Sequence, residues 1–239
     1  MGVAIMKLGI IGAMEEEVQH LIGELLDVRK TELMGMTFFE GNLGGAPVVV
    51  VKCGIGKVNA ALCAGTLARH FGVTHVVNTG VAGSLDARID IGDIVVSVDA
   101  VQHDFDTRVM GYPLGTIPYM GEDGTRFFAT DANMRSAVVK SASEVAPEVG
   151  VHEGRIASGD QFISSAEQKE LIVGEFGALC AEMEGAAIAQ ACMLAGVPCV
   201  IVRAISDKAD GSAHMDYPTF EREAAARCAR IVERMAQLI

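Results

Sequence analysis

Short runs of β-branched residues alternate with stretches of helical periodicity along the whole chain of 239 residues. Such alternation is typical of βα units, in which successive strands of one sheet are joined by helices that cover it. Aromatic residues make up only 5% of the chain, whereas Val and Ala are abundant, as expected of a sheet buried on both faces. The sequence therefore predicts an α/β fold with a mixed, mostly parallel central sheet flanked by helices, in a single domain over residues 1–239.

The predicted elements follow this periodicity, and one long loop interrupts them. The predicted strands cover residues 7–11, 36–43, 47–52, 75–78, 93–98, 151–157, 178–183 and 200–204. The predicted helices cover residues 15–26, 58–71, 133–145, 166–176 and 185–194, and a last helix is expected from about Pro218. Residues 102–125 have little periodicity and four glycines, and long loops in compact domains are often functional.

The charge of the chain argues against two classes of partner. The chain carries 31 acidic and 19 basic side chains, which gives a net charge of −12. Binding to nucleic acid or to an anionic membrane surface depends on clustered Lys and Arg, so neither partner is expected. His103, Asp104 and Asp106 lie close together, but the other histidines are scattered, so no metal site is expected either.

Three further features bear on the compartment. Six cysteines lie in apolar surroundings without a CxxC spacing, which predicts reduced thiols in the core. The run 185–202 is apolar except for Gln190, but Gly196 and Pro198 interrupt it, so a buried helix, a turn and a buried strand are expected rather than a membrane span. The N-terminus lacks the basic and apolar regions of a signal peptide. The sequence therefore predicts a cytoplasmic protein.

The first candidate site lies directly after the first predicted strand. Gly9 and Gly12 do not complete the GxGxxG pattern of a dinucleotide site. Glu15, Glu16 and Glu17 follow, and their carboxylates would repel a phosphate. Acidic residues in a first helical turn commonly offset the helix dipole. Because successive helical residues point about 100° apart, at most one or two of these side chains can face a cleft, and the pattern alone does not choose between the two interpretations.

Glycine-containing segments follow two further predicted strands. Residues 52–57 resemble a phosphate loop but lack its first glycine, and Val58 stands where a magnesium-binding Ser or Thr would be. Binding of a nucleoside triphosphate is therefore not expected. The run 78–85 is equally consistent with a tight turn from strand to helix and with contact between the backbone and a ligand.

The most informative charges flank the apolar run, with Glu182 and Glu184 before it and Arg203 and Asp207 after it. Charges beside a core are costly unless they are paired or used. A structural Arg–Glu pair would meet this requirement. A site for cleavage of a glycosidic bond would also meet it, because one acid protonates the leaving group while another carboxylate activates water.

In addition, six motifs and their order along the chain resemble those of the 5′-methylthioadenosine/S-adenosylhomocysteine nucleosidases, a family of the nucleoside phosphorylase superfamily. The motifs are GIIGAMEEEV (9–18), GIGKVNAA (54–61), NTGVAG (78–83), SGDQFI (158–163), EMEGAAIA (182–189) and RAISDKAD (203–210). The resemblance implies a nucleoside phosphorylase-like fold and hydrolysis of the N-glycosidic bond of methylthioadenosine and adenosylhomocysteine, and also of 5′-deoxyadenosine, without a cofactor. It further implies that residues 1–5 are a short N-terminal extension.

The catalytic roles are implied by the same resemblance. Glu17 resembles the residue that activates water, assisted by Arg203, and Glu184 resembles the carboxylate that binds the ribose hydroxyls. Asp207 resembles the general acid that protonates adenine at N7. Repulsion from Glu17 and Glu184, together with partial desolvation, is expected to hold the proton on Asp207.

The substrate-binding residues are implied in the same way. Phe162 is expected to stack on adenine, the backbone of Ile163 to read its edge, and Met183 to pack along the sugar. The pocket for the 5′ substituent is implied by Met14, Ile55, Tyr112 and Pro118. The chain departs from several relatives at three positions, with Met110 and Tyr217 in place of Phe and Val81 in place of Ser. A valine cannot make the hydroxyl contact that would help to orient Asp207.

The resemblance also implies a homodimer in which the loop 103–118 reaches the partner's site. Two other functions remain open from the sequence. A phosphate-dependent nucleoside phosphorylase would complete an anion site with Arg88, Arg108 or Arg155. A nucleoside-binding protein without catalysis would keep the stacking residues but would not need the acidic residues and the arginine together.

Overall fold

The computed structural model describes residues 6–210 and 213–239, so the expected extension at residues 1–5 lies outside the described residues. The strands are β1 (Leu8–Gly12), β2 (Leu26–Leu33), β3 (Met36–Leu43), β4 (Ala46–Lys52), β5 (His75–Ser84), β6 (Ile94–Gln102), β7 (Phe128–Ala129), β8 (Val151–Ser158), β9 (Cys180–Glu182) and β10 (Cys199–Asp207). The helices are α1 (Glu15–Gly23), α2 (Lys57–Arg69), α3 (Ala132–Val145), α4 (Ala166–Phe176), α5 (Gly185–Ala195) and α6 (Ala213–Ala236), and a 3₁₀ turn covers Arg108–Met110.

The described strands form one mixed sheet. β5, β10, β6, β8 and β9 pair in a closed cycle, and β1, β4, β3 and β2 extend the sheet outward from β5. Parallel pairs join β1 to β4 and β5, β10 to β5, and β8 to β6 and β9. Antiparallel pairs join β2 to β3, β3 to β4, β5 to β9, β6 to β7 and β6 to β10. The predicted α/β fold with a mixed central sheet flanked by helices is confirmed.

Helices bury the sheet on both faces. α2 and α5 pack together over a core that contains Leu67 and Ile188, while α1 and α3 pack beside α6 over a core that contains Leu21 and Val138. All six cysteines are buried and free, as the sequence predicts. The apolar run 185–202 forms α5, a turn and the start of β10. In the part of the chain that the structure describes, no helix is long and apolar enough to cross a membrane.

The edge strand β2 is the main element that the periodicity misses. α1 ends at Gly23 rather than at residue 26, because Leu26 begins β2, which pairs antiparallel with β3. The sequence of β2, LDVRKTEL, is mostly polar and exposed, so it lacks the alternation of apolar and polar residues that identifies a half-buried strand. The two-residue strand β7 is too short to produce such a pattern.

Both strands that carry the central motifs run beyond their predicted ends. β5 and β10 pair in parallel from Val76 opposite Cys199 to Gly83 opposite Asp207. The run 78–84 is therefore strand rather than a turn into a helix, and Arg203 lies within β10 rather than at its end. The last helix begins earlier than predicted, at Ala213 in the described chain, so Pro218 lies inside α6, where its missing N–H removes one helical hydrogen bond.

Candidate active site

A cavity of about 360 Å³ lies where β1 leads into α1, beside β5 and the end of β10, and against the turn from β9 into α5. Most of the predicted site residues line it, namely Met14, Glu17, Ile55, Val81, Phe162, Ile163, Met183, Glu184, Asp207 and Tyr217. Four predicted residues do not line it, namely Met110, Tyr112, Pro118 and Arg203. The cavity is also lined by seven residues that were not predicted to line it, namely Ala13, Ala82, Gly83, Gln161, Ala181, Glu182 and Ser206.

Arg203 is buried within the sheet beside the cavity, with an exposed fraction of 1%. One terminal nitrogen donates to Asn78 Oδ1 at 2.5 Å and to the carboxylate of Glu182. The other donates to the carbonyl oxygens of Val202 at 3.0 Å and Asn78 at 3.4 Å. The structural Arg–Glu pair that the sequence left open is therefore present, between Arg203 and Glu182.

Glu182 joins that pair to the start of α5. Its carboxylate accepts a hydrogen bond from the Ser158 hydroxyl and from the backbone N–H groups of Glu184 at 3.2 Å and Gly185 at 2.8 Å. The Ser158 oxygen in turn accepts the N–H of Ala186 at 2.7 Å. The signal for this role in the sequence is the need of a buried guanidinium for an anion.

Glu17 is the member of the acidic triplet that points into the cavity. Its Oε2 accepts the N–H groups of Ala13 at 2.6 Å and Met14 at 3.0 Å, and its Oε1 accepts the N–H of Val81 at 3.1 Å. Burial raises the pKa of Glu17, while the charge of Arg203 and these hydrogen bonds oppose the increase. A Cβ at Gly80 would lie 2.5 Å from Oε1 of Glu17, so the close approach of this carboxylate requires a glycine there.

The other acidic residues of the triplet do not line the cavity. Glu15 is exposed and forms an ion pair with Lys52 at 2.9 Å, and Glu16 does not line the cavity. Both lie in the first turn of α1, where negative charge offsets the helix dipole. The two interpretations that the sequence left open therefore apply to different residues of the triplet.

Asp207 ends β10 and is 2% exposed. Its Oδ1 accepts the N–H of Ala209 at 2.8 Å and its Oδ2 accepts the hydroxyl of Ser206 at 2.9 Å. Burial raises the pKa of Asp207, and the carboxylates that add most to the increase belong to Asp216 and Asp210. Desolvation, which the sequence also suggests, is thus the main cause, whereas the repulsion comes from Asp216 and Asp210 rather than from Glu17 and Glu184. Ser206 supplies a hydroxyl contact of the kind that Val81 cannot.

Glu184 caps α5 and faces the cavity beside Met183. Its Oε1 accepts the N–H of Gly56 at 2.9 Å, which ties it to the segment before α2. Burial and the nearby charge of Glu182 raise the pKa of Glu184 to about 8. A raised pKa favours the protonated carboxyl group, which can donate as well as accept a hydrogen bond.

Apolar side chains form the remaining wall. Phe162 is 48% exposed and meets Tyr217 edge to face, with ring centroids 5.7 Å apart. The Tyr217 hydroxyl donates to Met14 Sδ at 3.2 Å. A half-exposed aromatic ring beside a buried carboxyl group forms a surface on which a planar, hydrogen-bonding ring can stack.

The loop that carries Met110, Tyr112 and Pro118 lies outside the cavity of its own chain. In its 3₁₀ turn the neighbouring Val109 is 98% exposed and Met110 is 50% exposed. The arginines that a phosphorylase would need do not line the cavity either. They form ion pairs with acidic neighbours: Arg88 with Asp86, Arg108 with Asp106, and Arg155 with Asp99.

Comparisons with known proteins agree over nearly the full length. The family model of the Phosphorylase superfamily matches residues 7–237. A 5′-methylthioadenosine/S-adenosylhomocysteine nucleosidase from an Exiguobacterium species is 42% identical, covering 95% of this chain and 96% of the relative. An aminodeoxyfutalosine nucleosidase from Helicobacter pylori is 38% identical, covering 97% of this chain and 98% of the relative. The crystal structure of the Neisseria meningitidis methylthioadenosine/adenosylhomocysteine nucleosidase with methylthio-immucillin-A superposes with a TM-score of 0.92 at 35% identity, covering 98% of this chain and 99% of that one.

Loss of the buried cation should destabilise the fold. In Arg203→Met the charge of Glu182 stays buried without its partner, so the free energy of unfolding should fall by about 3–5 kcal/mol. The double variant Arg203→Met/Glu182→Gln should recover most of this loss, because neither charge remains. Urea denaturation followed by circular dichroism measures both. Arg88→Met, which removes an exposed ion pair, is the control and should be close to the parent. An Arg203→Met variant as stable as that control would contradict the prediction.

Proposed function

Because the chain belongs to the Phosphorylase superfamily and, within it, to the methylthioadenosine/adenosylhomocysteine nucleosidases, we propose that it hydrolyses the N-glycosidic bond of these nucleosides. Adenine and a ribose with a thio substituent at C5 are the products, and 5′-deoxyadenosine is a further substrate. The observation that carries the proposal is that carboxyl groups of Glu17, Glu184 and Asp207 face one cavity beside an exposed aromatic ring, that of Phe162.

Glu17 is the base that activates water. Its raised pKa makes it a better proton acceptor than an ordinary carboxylate, and the hydrogen bonds from the backbone hold it in place. The water oxygen adds to C1′ of the ribose as the bond from C1′ to N9 breaks and its electron pair moves into the adenine ring. Arg203 acts on Glu17 through its charge, which keeps the pKa from rising further.

Asp207 is the acid that protonates adenine at N7. Its raised pKa favours the protonated form that a general acid needs, and Ser206 and the N–H of Ala209 fix its orientation. Phe162 stacks on the base and the backbone of Ile163 reads its edge. Glu184 binds the ribose hydroxyls and Met183 packs along the sugar. The 5′ substituent lies against a wall formed by Met14, Ile55 and Tyr217.

Hydrolysis is favoured over phosphorolysis by the occupation of the backbone donors. The N–H groups of Ala13, Met14 and Val81 already donate to the Glu17 carboxylate, so they are not available to a phosphate ion. A negative charge at this position also repels a second anion. The candidate anion-binding arginines make ion pairs outside the cavity.

The first test is release of adenine from 5′-methylthioadenosine in phosphate-free buffer, without added metal, followed by chromatography. We expect free adenine and an unchanged rate when phosphate is added, because water is the nucleophile. Strict dependence on phosphate would instead assign the chain to the phosphorylases. Binding of the nucleoside without any release of adenine would make it a nucleoside-binding protein.

Replacement of the proton donor tests the mechanism. Asp207→Asn keeps the size and one hydrogen-bond donor but cannot transfer a proton, so kcat should fall by about 10²- to 10⁴-fold while KM changes much less. Asp27→Asn, at an exposed position in the edge strand β2, is the matched control and should behave as the parent. If Asp207→Asn, shown to be folded by circular dichroism, keeps kcat within about threefold of the parent, the residue is structural.

The loop 103–118 completes the site of a partner subunit in a cytoplasmic homodimer. This proposal is supported by the position of Met110, Tyr112 and Pro118 outside their own cavity and by the full exposure of Val109, since exposed apolar side chains often mark interfaces. The buried, free cysteines fit a reducing compartment.

Sedimentation should therefore give twice the 25.1 kDa mass of one chain. Tyr112→Ala should raise KM for methylthioadenosine, because the side chain closes the 5′ end of the partner's pocket. A monomer with full activity would rule out the proposed dimer site.

A further inference from the structure

Lys57, the first residue of α2, lies at the junction of three chain segments outside the catalytic cavity. Its Nζ donates to Asp104 Oδ1 at 2.5 Å and to Gln102 Oε1 at 3.1 Å. Its backbone N–H donates to Asp160 Oδ1 at 2.8 Å. The N–H of Asp160 donates to the other oxygen of Asp104 at 2.9 Å. Lys57, Asp104 and Asp160 thus form a closed ring of hydrogen bonds, which we call the Lys57 ring.

Two segments of the ring continue into the site. Directly before Lys57, the N–H of Gly56 donates to Oε1 of Glu184 at 2.9 Å. Directly after Asp160, Gln161, Phe162 and Ile163 line the cavity. The third segment, at Asp104, begins the loop 103–118, which lies outside the cavity of its own chain. The Lys57 ring therefore fixes the carboxyl group of Glu184 and the side chain of Phe162 relative to each other.

The Lys57–Asp104 ion pair is not explained by stability alone. Both side chains are largely buried, with exposed fractions of 16% and 14%, and the desolvation of a buried ion pair can cancel its Coulombic gain. The ion pair instead fixes the relative positions of three chain segments, because it is part of a closed ring of hydrogen bonds. Phe162 needs such an anchor, since it is about half exposed and, among the residues that the structure describes, its ring meets only that of Tyr217.

We propose that Lys57 is a positioning residue for the nucleoside, which acts through the Lys57 ring on Phe162 and Glu184. This inference rests on the proposed function. Lys57 touches neither the substrate nor the reacting atoms. It holds Asp104, Asp104 holds the backbone of Asp160, and Asp160 places the segment that stacks on adenine.

The test compares Lys57→Met with the parent and with Lys7→Met. Lys7 is a matched control because it is also partly buried, at 27% exposed, forms an ion pair with Glu40 at 2.9 Å, and does not line the cavity. Lys57→Met should raise KM for methylthioadenosine about tenfold and change kcat less than about threefold, because it loosens binding contacts but leaves the proton transfers in place. Its Kd for free adenine, measured by calorimetry, should rise by a similar factor. Lys7→Met should change neither constant.

Three further results decide the proposal. Lys57→Arg keeps a charged donor and should therefore recover part of the affinity. If the role of Lys57 were purely structural, Lys57→Met would change only the melting temperature. Asp104→Asn should raise KM as well, and the double variant Lys57→Met/Asp104→Asn should be no worse than Lys57→Met, because both changes open the same ring. The proposal is overturned if folded Lys57→Met keeps the KM and the adenine affinity of the parent. If Lys57→Met does not fold, the same result in Asp104→Asn overturns it. A parent that releases no adenine would instead reject the proposed function, and the adenine Kd values would still test the ring.

Discussion

The burial of Arg203 in the middle of β10 is the constraint around which the site is arranged. A guanidinium keeps its charge in proteins, so one buried in a sheet must be surrounded by acceptors and at least one anion. Asn78 on β5 and Glu182 on β9 meet this need, and the pairing of β10 with β5 brings them into reach. Because Glu182 also binds the first amides of α5, one buried cation fixes the strand, the turn and the helix that carry Glu184.

Much of the fold follows from the sequence where local pattern and tertiary structure agree. The apolar strands and the helices between them lie close to their predicted positions because each has a buried face and a turn at its ends. The exceptions have physical causes. β2 is a polar edge strand stabilised by its pairing with β3, and the later residues of β5 and β10 are held as strands by each other. Pairing between segments distant in the chain leaves no mark in the local periodicity of either.

The same distinction applies to the site. The motifs predicted most of the site residues that line the cavity, because each motif is a local pattern at or near the end of a strand. The partners of those residues could not be predicted, since Ser158 binds Glu182 and Lys57 binds Asp104 across long stretches of sequence. A contact between Ser206 and Asp207 could have been predicted, because the two residues are adjacent in the sequence. Only the structure shows that the Ser206 hydroxyl donates to the Asp207 carboxylate. Met110 lies in a motif-poor loop, and one chain alone does not bring it to a cavity.

The way in which Glu17 is held bears on how such a site can diverge. Its three donors are the backbone amides of Ala13, Met14 and Val81, and no substitution other than proline removes a backbone N–H. The side chains at these positions can therefore change while the carboxylate of Glu17, the proposed base, keeps its hydrogen-bond donors. Positions 14 and 81 also line the cavity, so substitutions there can reshape the cavity wall without removing the hydrogen bonds that hold Glu17.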